Sequence, residues 1–330
     1  MSIPDLPVGL ADVLDARSRI AGVAVTSPAV PAAMIPGTGR CWLKLEGVQP
    51  TGSFKVRGAA SRLGLMDPAA LERGVVTAST GNHGRAVAHV AAARGVPATI
   101  CVSVHVPAGK VAALRSIGCE VIIGGDSQAD ALITADALVQ ERGMTLIHPF
   151  DDPQVIAGQG TIGLEILEQV PATTMVVVPL SGGGLAAGIA VAVKATRPDV
   201  RVVGVSMERA AVMAASLDAG RPVVLPEEPT LADSLQGGIG LANATTFPIV
   251  RALVDEVVLL TEQEIWDGMR FAFEQHRLVL EGGAAVGIAA VLAGRLDVAA
   301  AEHAVLVCSG ANAEAGHVLA LAQGQTTPPA

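Results

Sequence analysis

Short runs of β-branched and other apolar residues alternate along this chain with longer, alanine-rich stretches. Parallel strands that are buried on both faces have nearly continuous apolar runs, and the helices that connect them account for the longer stretches. The alternation therefore predicts an α/β protein built from mostly parallel sheets flanked by helices.

The predicted elements fall into two series. The first is a β-α-β-α-β-α-β unit with strands at 74–78, 98–102, 120–123 and 145–147 and helices at 84–94, 108–117 and 127–142. The second has strands at 174–178, 200–205, 256–260 and 304–308. We expect a small domain at 74–147 inserted into a large domain made of 1–73 and 148–330, with a cleft between the two lobes. The tail at 324–330 is expected to be disordered.

The chain is strongly apolar, with 51% hydrophobic residues and a mean hydropathy of +0.51. The segment 175–193 carries no charge and is long enough to span a bilayer as a helix. However, Pro179 and the glycines at 182–184 divide this segment into a strand and a helix. We therefore expect a buried α/β core and no membrane insertion.

Charge and cysteine content narrow the class of protein. A net charge of −9, a pI near 5.2 and an aromatic content of 2% argue against a nucleic-acid partner. The N-terminus shows no secretory signal, and the four cysteines lack metal-ligand spacing. These features predict a cytoplasmic protein with reduced cysteines, and we expect it to be a homodimer.

Lys55 stands out because of the residues around it. It lies in a polar, glycine-flanked turn at 51–59 that leads into a helix of small residues, between apolar Phe54 and Val56. A lysine amine in such a desolvated setting forms Schiff bases with aldehyde cofactors. The alternative is a solvated surface lysine, which is where most lysines are found. Lys44 also follows apolar residues, but its pattern is that of a strand end with a paired charge.

A glycine-rich loop at 181–185 follows a predicted strand and opens a predicted helix. Consecutive backbone N–H groups in such a loop converge on an anion, so the loop is predicted to bind a phosphate group. A competing interpretation is dinucleotide binding, because Gly182-x-Gly184-x-x-Ala187 fits a relaxed dinucleotide fingerprint and Glu208 lies downstream.

A second loop, at 79–84, has the sequence Ser-Thr-Gly-Asn-His-Gly and offers hydroxyl and N–H groups to a substrate carboxylate. The alternative is a helix-capping turn in which Asn82 or Ser79 serves only as the cap. For His83, a structural role and a direct substrate contact are both open. Ser309 ends the last predicted strand, where it could equally be a simple strand terminus.

Together these motifs resemble the pyridoxal-phosphate (PLP) enzymes of fold type II, the tryptophan synthase β-like fold. Within that group the chain is similar to threonine dehydratases and serine racemases, on the segments 53–59, 79–84, 155–161 and 181–185, and the similarity extends from about residue 8 to 315. The segments 76–85, 204–209 and 230–234 look most like those of hydroxyectoine-utilisation dehydratases.

The resemblance implies a role for each matching residue. Lys55 would form the Schiff base, Asn82 would bond to the cofactor's phenolic oxygen, and Ser309 would face its pyridine nitrogen. The residues implied in cofactor binding are Phe54, Lys55, Asn82, Gly182, Gly183, Gly184, Leu185, Glu281 and Ser309. Those implied in substrate binding are Ser79, Thr80, Gly81, His83 and Gly238. Lys55 and Thr80 are the implied catalytic residues, because Thr80 matches the hydroxyl on the opposite face in racemases.

Three departures from the family pattern bear on function. No second acid accompanies Glu208 after the 200–205 strand, which puts the family's divalent cation in doubt, and we predict no metal site. The segment after Glu281 has lost its usual proline. Gly237 and Gly238 replace the hydroxyl-bearing pair of serine-handling relatives, which we interpret as room for a larger substrate.

The resulting hypothesis is a PLP-dependent dehydratase, or ammonia-lyase, that acts on a 3-hydroxy-α-amino acid. The candidate substrates are a hydroxyectoine-derived amino acid, 3-hydroxyaspartate, phenylserine, threonine and serine. Three alternatives stay open: an amino-acid racemase, a nicotinamide-dependent oxidoreductase, and a catalytically silent protein that binds PLP or an amino acid.

Overall fold

A computed structural model of the protein describes residues 6–32, 35, 40–79, 81–106, 108–298, 301 and 303–329. Strands and helices alternate through these residues as the apolar pattern predicts. The strands are β1 (Ala29–Pro31), β2 (Cys41–Leu45), β3 (Val75–Ala78), β4 (Ala98–Val102), β5 (Glu120–Ile123), β6 (Thr145–Leu146), β7 (Met175–Pro179), β8 (Arg201–Met207), β9 (Glu256–Leu260) and β10 (Ala304–Cys308).

The helices connect these strands and cover both faces of the sheets. They are α1 (Leu10–Arg19), α2 (Lys55–Gly64), α3 (Pro68–Arg73), α4 (Asn82–Ala93), α5 (Ala108–Ser116), α6 (Gln128–Arg142), α7 (Pro153–Gln169), α8 (Gly184–Thr196), α9 (Val212–Ala219), α10 (Thr246–Leu253), α11 (Glu262–His276), α12 (Gly282–Leu292) and α13 (Ala315–Ala322).

The larger sheet has the strand order β1-β2-β10-β7-β8-β9, in which only the β1–β2 pairing is antiparallel. Successive side chains of β7 point to opposite faces. Met175 and Val177 join one apolar core, and Val176 and Val178 join the other. The predicted α/β class with parallel sheets is confirmed.

The smaller sheet is entirely parallel, with the order β5-β4-β3-β6. All four of its strands lie between Val75 and Leu146. This arrangement supports our proposal of a small domain at 74–147 inserted in a large one. Helix α2 lies at the junction, because its apolar face joins the core of the smaller sheet while the helix also packs against α7.

The apolar segment at 175–193 divides as predicted, into β7 and the first part of α8. In the part of the chain that the structure describes, no helix has the length and apolar character needed to cross a membrane.

The expectation of a disordered tail is wrong for residues 325 and 326. Trp266 Nε1 donates to Gln325 O at 3.0 Å, and Gln263 Nε2 donates to Thr326 O at 2.9 Å. The tail therefore lies along α11, because side chains of α11 donate hydrogen bonds to the backbone of the tail. The polar sequence of the tail does not indicate these bonds.

Candidate active site

The predicted motif loops all follow the carboxyl ends of parallel strands. Strand β3 leads into 79–84, β7 leads into 181–185, and β10 ends immediately before Ser309. In open parallel sheets, ligands bind in the crevice outside these strand ends. The fold therefore directs the three motifs toward one region.

The turn that precedes Lys55 is fastened to the end of β10. Phe54 N donates to Ser309 O at 3.1 Å, and Ala311 N donates to Gly52 O at 2.8 Å. Gly52 has a φ of 74°, in the left-handed region that favours glycine. Because α2 begins at Lys55, these bonds place the start of the helix next to Ser309.

Glycines allow α2 and α7 to touch backbone to backbone. A Cβ atom on Gly158 would lie 2.6 Å from Arg57 O, and one on Gly58 would overlap the side chain of Gln159. Such contacts leave neither helix room to shift, because protein interiors are close-packed. Main-chain packing therefore sets the position of Lys55.

Two residues beyond Lys55, Arg57 belongs to a buried ion cluster. Arg57 bonds to Glu46 at 2.8 Å and to Glu165 at 2.6 Å, and Lys44 bonds to Glu165 at 2.6 Å. The two cations and two anions balance. Burial opposes the charge on Arg57, but the two carboxylates raise its pKa, whereas burial lowers the pKa of Lys44. The sequence indicated the paired charge of Lys44 but not the role of Arg57.

Lys55 differs from the other three lysines in its partner. Lys44, Lys110 and Lys194 each form an ion pair with a carboxylate. Among the described residues Lys55 has no such pair, and its Nζ donates instead to Pro149 O at 2.8 Å. Burial lowers the pKa of Lys55 to about 8, although the charge of Glu281 opposes this shift. A neutral, nucleophilic amine is therefore accessible near neutral pH.

The glycine loop at 181–185 is shaped by Phe150. A Cβ atom on Gly182 would lie 2.5 Å from Phe150 Cδ1, and one on Gly184 would lie 2.9 Å from Phe150 Cβ. Gly183 has a φ of 90° and caps α8, and Leu185 is buried in the first helical turn. The first N–H groups of a helix have no partner within it, so this turn is suited to bind an anion.

The loop at 79–84 ends in the first turn of α4, where Asn82 meets Glu281. A Cβ atom on Gly84 would overlap Ser79 O, so glycine is required there. Asn82 Nδ2 donates to Glu281 Oε1 at 2.7 Å. Burial raises the pKa of Glu281 to about 7 even though the bond from Asn82 opposes it.

The other predicted members of this loop differ in setting. Ser79 is half-buried, and exposed Gly81 precedes α4. His83 is buried and bonded through Nε2 to Ile147 O at 2.9 Å. Burial lowers the pKa of His83 to about 3, so its imidazole is neutral. This contact supports the structural interpretation of His83. Thr80 lies outside the described residues.

One segment, residues 147–151, contacts Lys55, the loop at 79–84 and the loop at 181–185. Ile147 O accepts from His83, Pro149 O accepts from Lys55, and Phe150 packs against the glycine loop. Asp151 accepts from the backbone N–H groups of residues 244, 245 and 246, at the start of α10. We call it the 147–151 segment. The sequence indicated the apolar residues 148–150 as part of a substrate pocket but not these bonds, because most of them use backbone carbonyls or N–H groups, which any residue type supplies.

Ser309, Phe54 and Gly238 are the remaining predicted residues. Ser309 is buried at the end of β10, and its carbonyl is bound by Phe54 N. The ring of Phe54 lies 5.3 Å from Lys55 Nζ. Gly238 is exposed, and a Cβ atom added to it would meet nothing within 4 Å. No described contact joins Gly238 to the other site residues.

Comparison with known proteins decides the family. The family described as "Pyridoxal-phosphate dependent enzyme" matches residues 26–310, which is most of the chain. The chain belongs to the family of PLP-dependent enzymes. The predicted fold type and family are confirmed.

Relatives of known name share most of their length with this PLP-dependent enzyme. A putative threonine dehydratase of Sinorhizobium fredii is 54% identical over 274 residues, which cover 83% of this chain and 82% of the relative. An L-threonine ammonia-lyase of Thermotoga maritima is 43% identical over 272 residues, 82% of this chain and 67% of the relative. Maize serine racemase superimposes with a TM-score of 0.89 at 33% identity, covering 96% of this chain and 97% of that structure.

The residues present fit PLP. Side chains at Gly182 or Gly184 would overlap Phe150, so this turn requires glycine, and the helix that starts there offers unpaired N–H groups to a phosphate group. Lys55 has no carboxylate partner in the described chain and has a lowered pKa, as a Schiff-base lysine requires. Asn82 Nδ2 points toward Glu281 and provides a donor for an oxygen atom of a ring.

The region after β8 contains Glu208 but no second acid, which put the binding of the family's divalent cation in doubt. Glu208 is exposed, and its backbone N–H donates to Leu260 O at 2.8 Å. Across the described ranges, no three His, Cys, Asp or Glu side chains are grouped as metal ligands would be.

Proposed function

We propose that the protein is a PLP-dependent dehydratase that converts a 3-hydroxy-α-amino acid to a 2-oxo acid and ammonia. The observation that carries this proposal is the setting of Lys55, the one lysine with a backbone carbonyl partner in place of a carboxylate among the described residues and with a pKa lowered to about 8. The named relatives, a threonine dehydratase and a threonine ammonia-lyase, support the same reaction.

Bound PLP supplies a ring that accepts electrons when the bond to the α-proton breaks. The chain's own groups supply the rest. The neutral amine of Lys55 would hold the cofactor until the amino group of the substrate displaces it, and the freed amine would then take the α-proton. The β-hydroxyl leaves as water, and one water is consumed when ammonia is released, so substrate and products balance. The N–H groups at Gly182–Leu185 hold the phosphate, and Ser79 and the loop at Gly81 hold the substrate carboxylate.

Two further proposed contacts determine how strongly the bound cofactor would accept electrons. Asn82 donates to the phenolic oxygen, and the Ser309 hydroxyl faces the pyridine nitrogen. A hydroxyl, unlike a carboxylate, leaves that nitrogen largely unprotonated. Elimination tolerates this weaker electron acceptance, because the departing hydroxyl removes the electron pair.

Racemisation is the second candidate, favoured by the close superposition on maize serine racemase. It requires a second acid–base group on the face opposite Lys55, a role that the resemblance to racemases implies for Thr80. The two reactions are separable, because racemisation releases no ammonia.

The first test is substrate choice. Formation of 2-oxo acid should be measured with L-threonine, L-serine, 3-hydroxyaspartate and phenylserine, together with a chiral assay of the recovered amino acid. The dehydratase proposal requires 2-oxo acid and ammonia in equal amounts from at least one of them. Recovery of the D-enantiomer without ammonia would replace it with racemisation.

We expect kcat/KM for a larger 3-hydroxy amino acid to exceed that for L-serine. Gly238 lies in open space, so Gly238→Ser adds a hydroxyl without a clash. An apolar pocket separates ligands by about 1–3 kcal/mol per methylene, so Gly238→Ser should narrow the preference by about tenfold. Gly240→Ser, at a φ of 81°, controls for loop strain. A wild type that prefers L-serine would contradict the enlarged pocket.

Ser309→Asp should lower kcat much more than it weakens cofactor binding. A carboxylate at this buried position would hold a proton on the pyridine nitrogen and retain electrons that elimination must release. We expect a fall in kcat of about a hundredfold, which is the size of the change when one electrostatic contact to a transition state is altered. The comparison of kcat with the PLP dissociation constant, against Ser309→Ala, is the measurement. Equal activity of all three proteins would show that Ser309 does not face the ring.

We also propose that the enzyme works in the cytoplasm as a homodimer. Cys41, Cys101, Cys119 and Cys308 are all free, which suits a reducing compartment. Exposed apolar side chains, those of Val25 and Val48, offer surface to a second copy. Sedimentation of the purified protein tests the dimer.

A further inference from the structure

The side-chain amide of Asn82 is useful to a cofactor oxygen in only one of its two orientations. Its nitrogen donates hydrogen bonds and its oxygen accepts them, and the two ends have nearly the same shape. The phenolic oxygen that Asn82 is proposed to bind needs the donor. Some other group must therefore decide which end of the amide faces the site.

A chain of hydrogen bonds from Arg85 makes this decision. Arg85 Nη1 donates to Asn312 Oδ1 at 3.0 Å. Asn312 Nδ2 in turn donates to Asn82 Oδ1 at 2.6 Å, and Asn82 Nδ2 donates to Glu281 Oε1 at 2.7 Å. The four side chains come from α4, from the residues after β10 and from the residue before α12, so the chain of bonds joins distant parts of the sequence.

Each link has a fixed direction because both anchors of Asn312 are unambiguous. A guanidinium group only donates, so the oxygen of Asn312 must face Arg85. The carbonyl of Thr51 only accepts, and it receives Asn312 Nδ2 at 2.9 Å. With both ends of Asn312 assigned, the oxygen of Asn82 must face Asn312 and its nitrogen must face Glu281.

Packing also restricts Asn312 to this position. A Cβ atom on Gly52 would lie 2.7 Å from Asn312 Oδ1, so the amide fits closely against the turn that precedes Lys55. Arg85 has no carboxylate partner among the described residues, and it donates to a neutral amide. Because Arg85 is half-buried, its hydrogen bond to Asn312 offsets part of the cost of removing the charge from water.

We propose that Arg85 and Asn312 are positioning residues that hold the NH2 group of Asn82 toward the cofactor's phenolic oxygen. The inference rests on the proposed function, because it requires PLP at this site. It assigns to Arg85, which acts through Asn312, control over the affinity of the site for PLP and over the pH at which the bound cofactor changes its absorption.

Asn312→Asp is the sharpest test. The substituted carboxylate keeps the shape of the side chain and pairs with Arg85, but it donates to neither Asn82 nor Thr51. The amide of Asn82 then lies between two acceptors, the new carboxylate and Glu281. When its nitrogen turns toward the new carboxylate, its oxygen faces Glu281 and the cofactor. We expect PLP to bind about tenfold to a hundredfold more weakly, which is the range for a lost hydrogen bond that leaves repulsion behind.

Arg85→Met removes the donor and keeps the length of the side chain. Asn312 is then held by Thr51 alone, so we expect a smaller loss, about tenfold, in PLP affinity. Arg94→Met is the matched control, because Arg94 ends the same helix and is exposed. Affinity is measured by titrating the apoprotein with PLP and following absorbance, and thermal unfolding of each apoprotein checks that the fold is retained.

The pH titration of the bound cofactor separates positioning from general damage. A donor to the phenolic oxygen stabilises the anionic form of that oxygen, so loss of the donor should raise the pH of the spectral transition. The rise should be about one pH unit if the anionic form is stabilised tenfold less. In an Asn82→Ala background, Arg85→Met should produce no further shift, because the group it orients is gone.

Three outcomes would decide against the inference. Wild type that binds no PLP would overturn the proposed function and this inference with it. Wild type that binds PLP, with Arg85→Met and Asn312→Asp unchanged in both affinity and spectral transition, would overturn the inference alone. Equal effects of Arg85→Met with and without Asn82 would show that Arg85 acts by another route.

Discussion

Replacing Lys55 with alanine should reduce 2-oxo acid formation by about a thousandfold or more, because one side chain supplies both the attachment of the cofactor and the base for the α-proton. Borohydride reduction of the wild type should fix the mass of reduced PLP on the peptide that contains Lys55, and the variant should retain no such label. Lys110→Ala is the control, since Lys110 is exposed to solvent in part and paired with Glu314. Label on Lys44 or Lys110 would contradict the assignment.

The lowered pKa of Lys55 adds a dependence on pH. Attachment of PLP to the apoprotein requires the neutral amine, which an ordinary lysine provides in quantity only near pH 10.4. With a pKa of about 8 for Lys55, the attachment rate should rise with pH and level off above about pH 8. Stopped-flow absorbance after mixing apoprotein with PLP at each pH would measure this attachment rate. A rate that continues to climb through pH 10 would show that the amine is not desolvated.

Arg57→Met should lower the free energy of unfolding by about 3–5 kcal/mol, because it leaves two buried carboxylates with only one cation. Urea denaturation of the apoprotein measures the change. The exposed ion pair of Arg17 and Glu168 provides the control, and Arg17→Met should cost less than about 1 kcal/mol.

The charge balance of the ion cluster also predicts that a second substitution restores part of the stability lost in Arg57→Met. Adding Glu46→Gln to Arg57→Met restores one cation to one anion, with Lys44 still paired to Glu165. The double variant should recover part of the lost stability, as coupled neighbours do. If the losses in free energy of unfolding of Arg57→Met and Glu46→Gln simply add in the double variant, Arg57 does not stabilise the cluster through charge balance.

The sequence was sufficient for the long parallel strands and for the motif loops, because those features depend on residue type. An apolar run such as β7 must be buried, and a triple glycine after it must form a tight turn. The start of α4 was predicted within two residues, and only the role of exposed Gly81 as its cap was missed. No pattern along the chain indicated β1, whose three residues include Pro31.

What the sequence left out are contacts made through the main chain or across long separations. Pro149 O and Ile147 O bind Lys55 and His83, and a carbonyl oxygen carries no sequence signal. Arg57 and Glu165 are separated by 108 positions, so their pairing appears only when α2 and α7 are packed. Likewise, the partner of His83, Ile147 O, is 64 positions away and carries no sequence signal.

The 147–151 segment bears on any attempt to redesign this enzyme. Its five residues hold the lysine, the histidine, the glycine loop and the start of α10, so a shift of one position would disturb every part of the site together. The loop around Gly238 is the opposite case, with open space around it and no described tie to the lysine. Variant libraries that aim at new substrates should therefore vary the loop around Gly238 and leave the 147–151 segment unchanged.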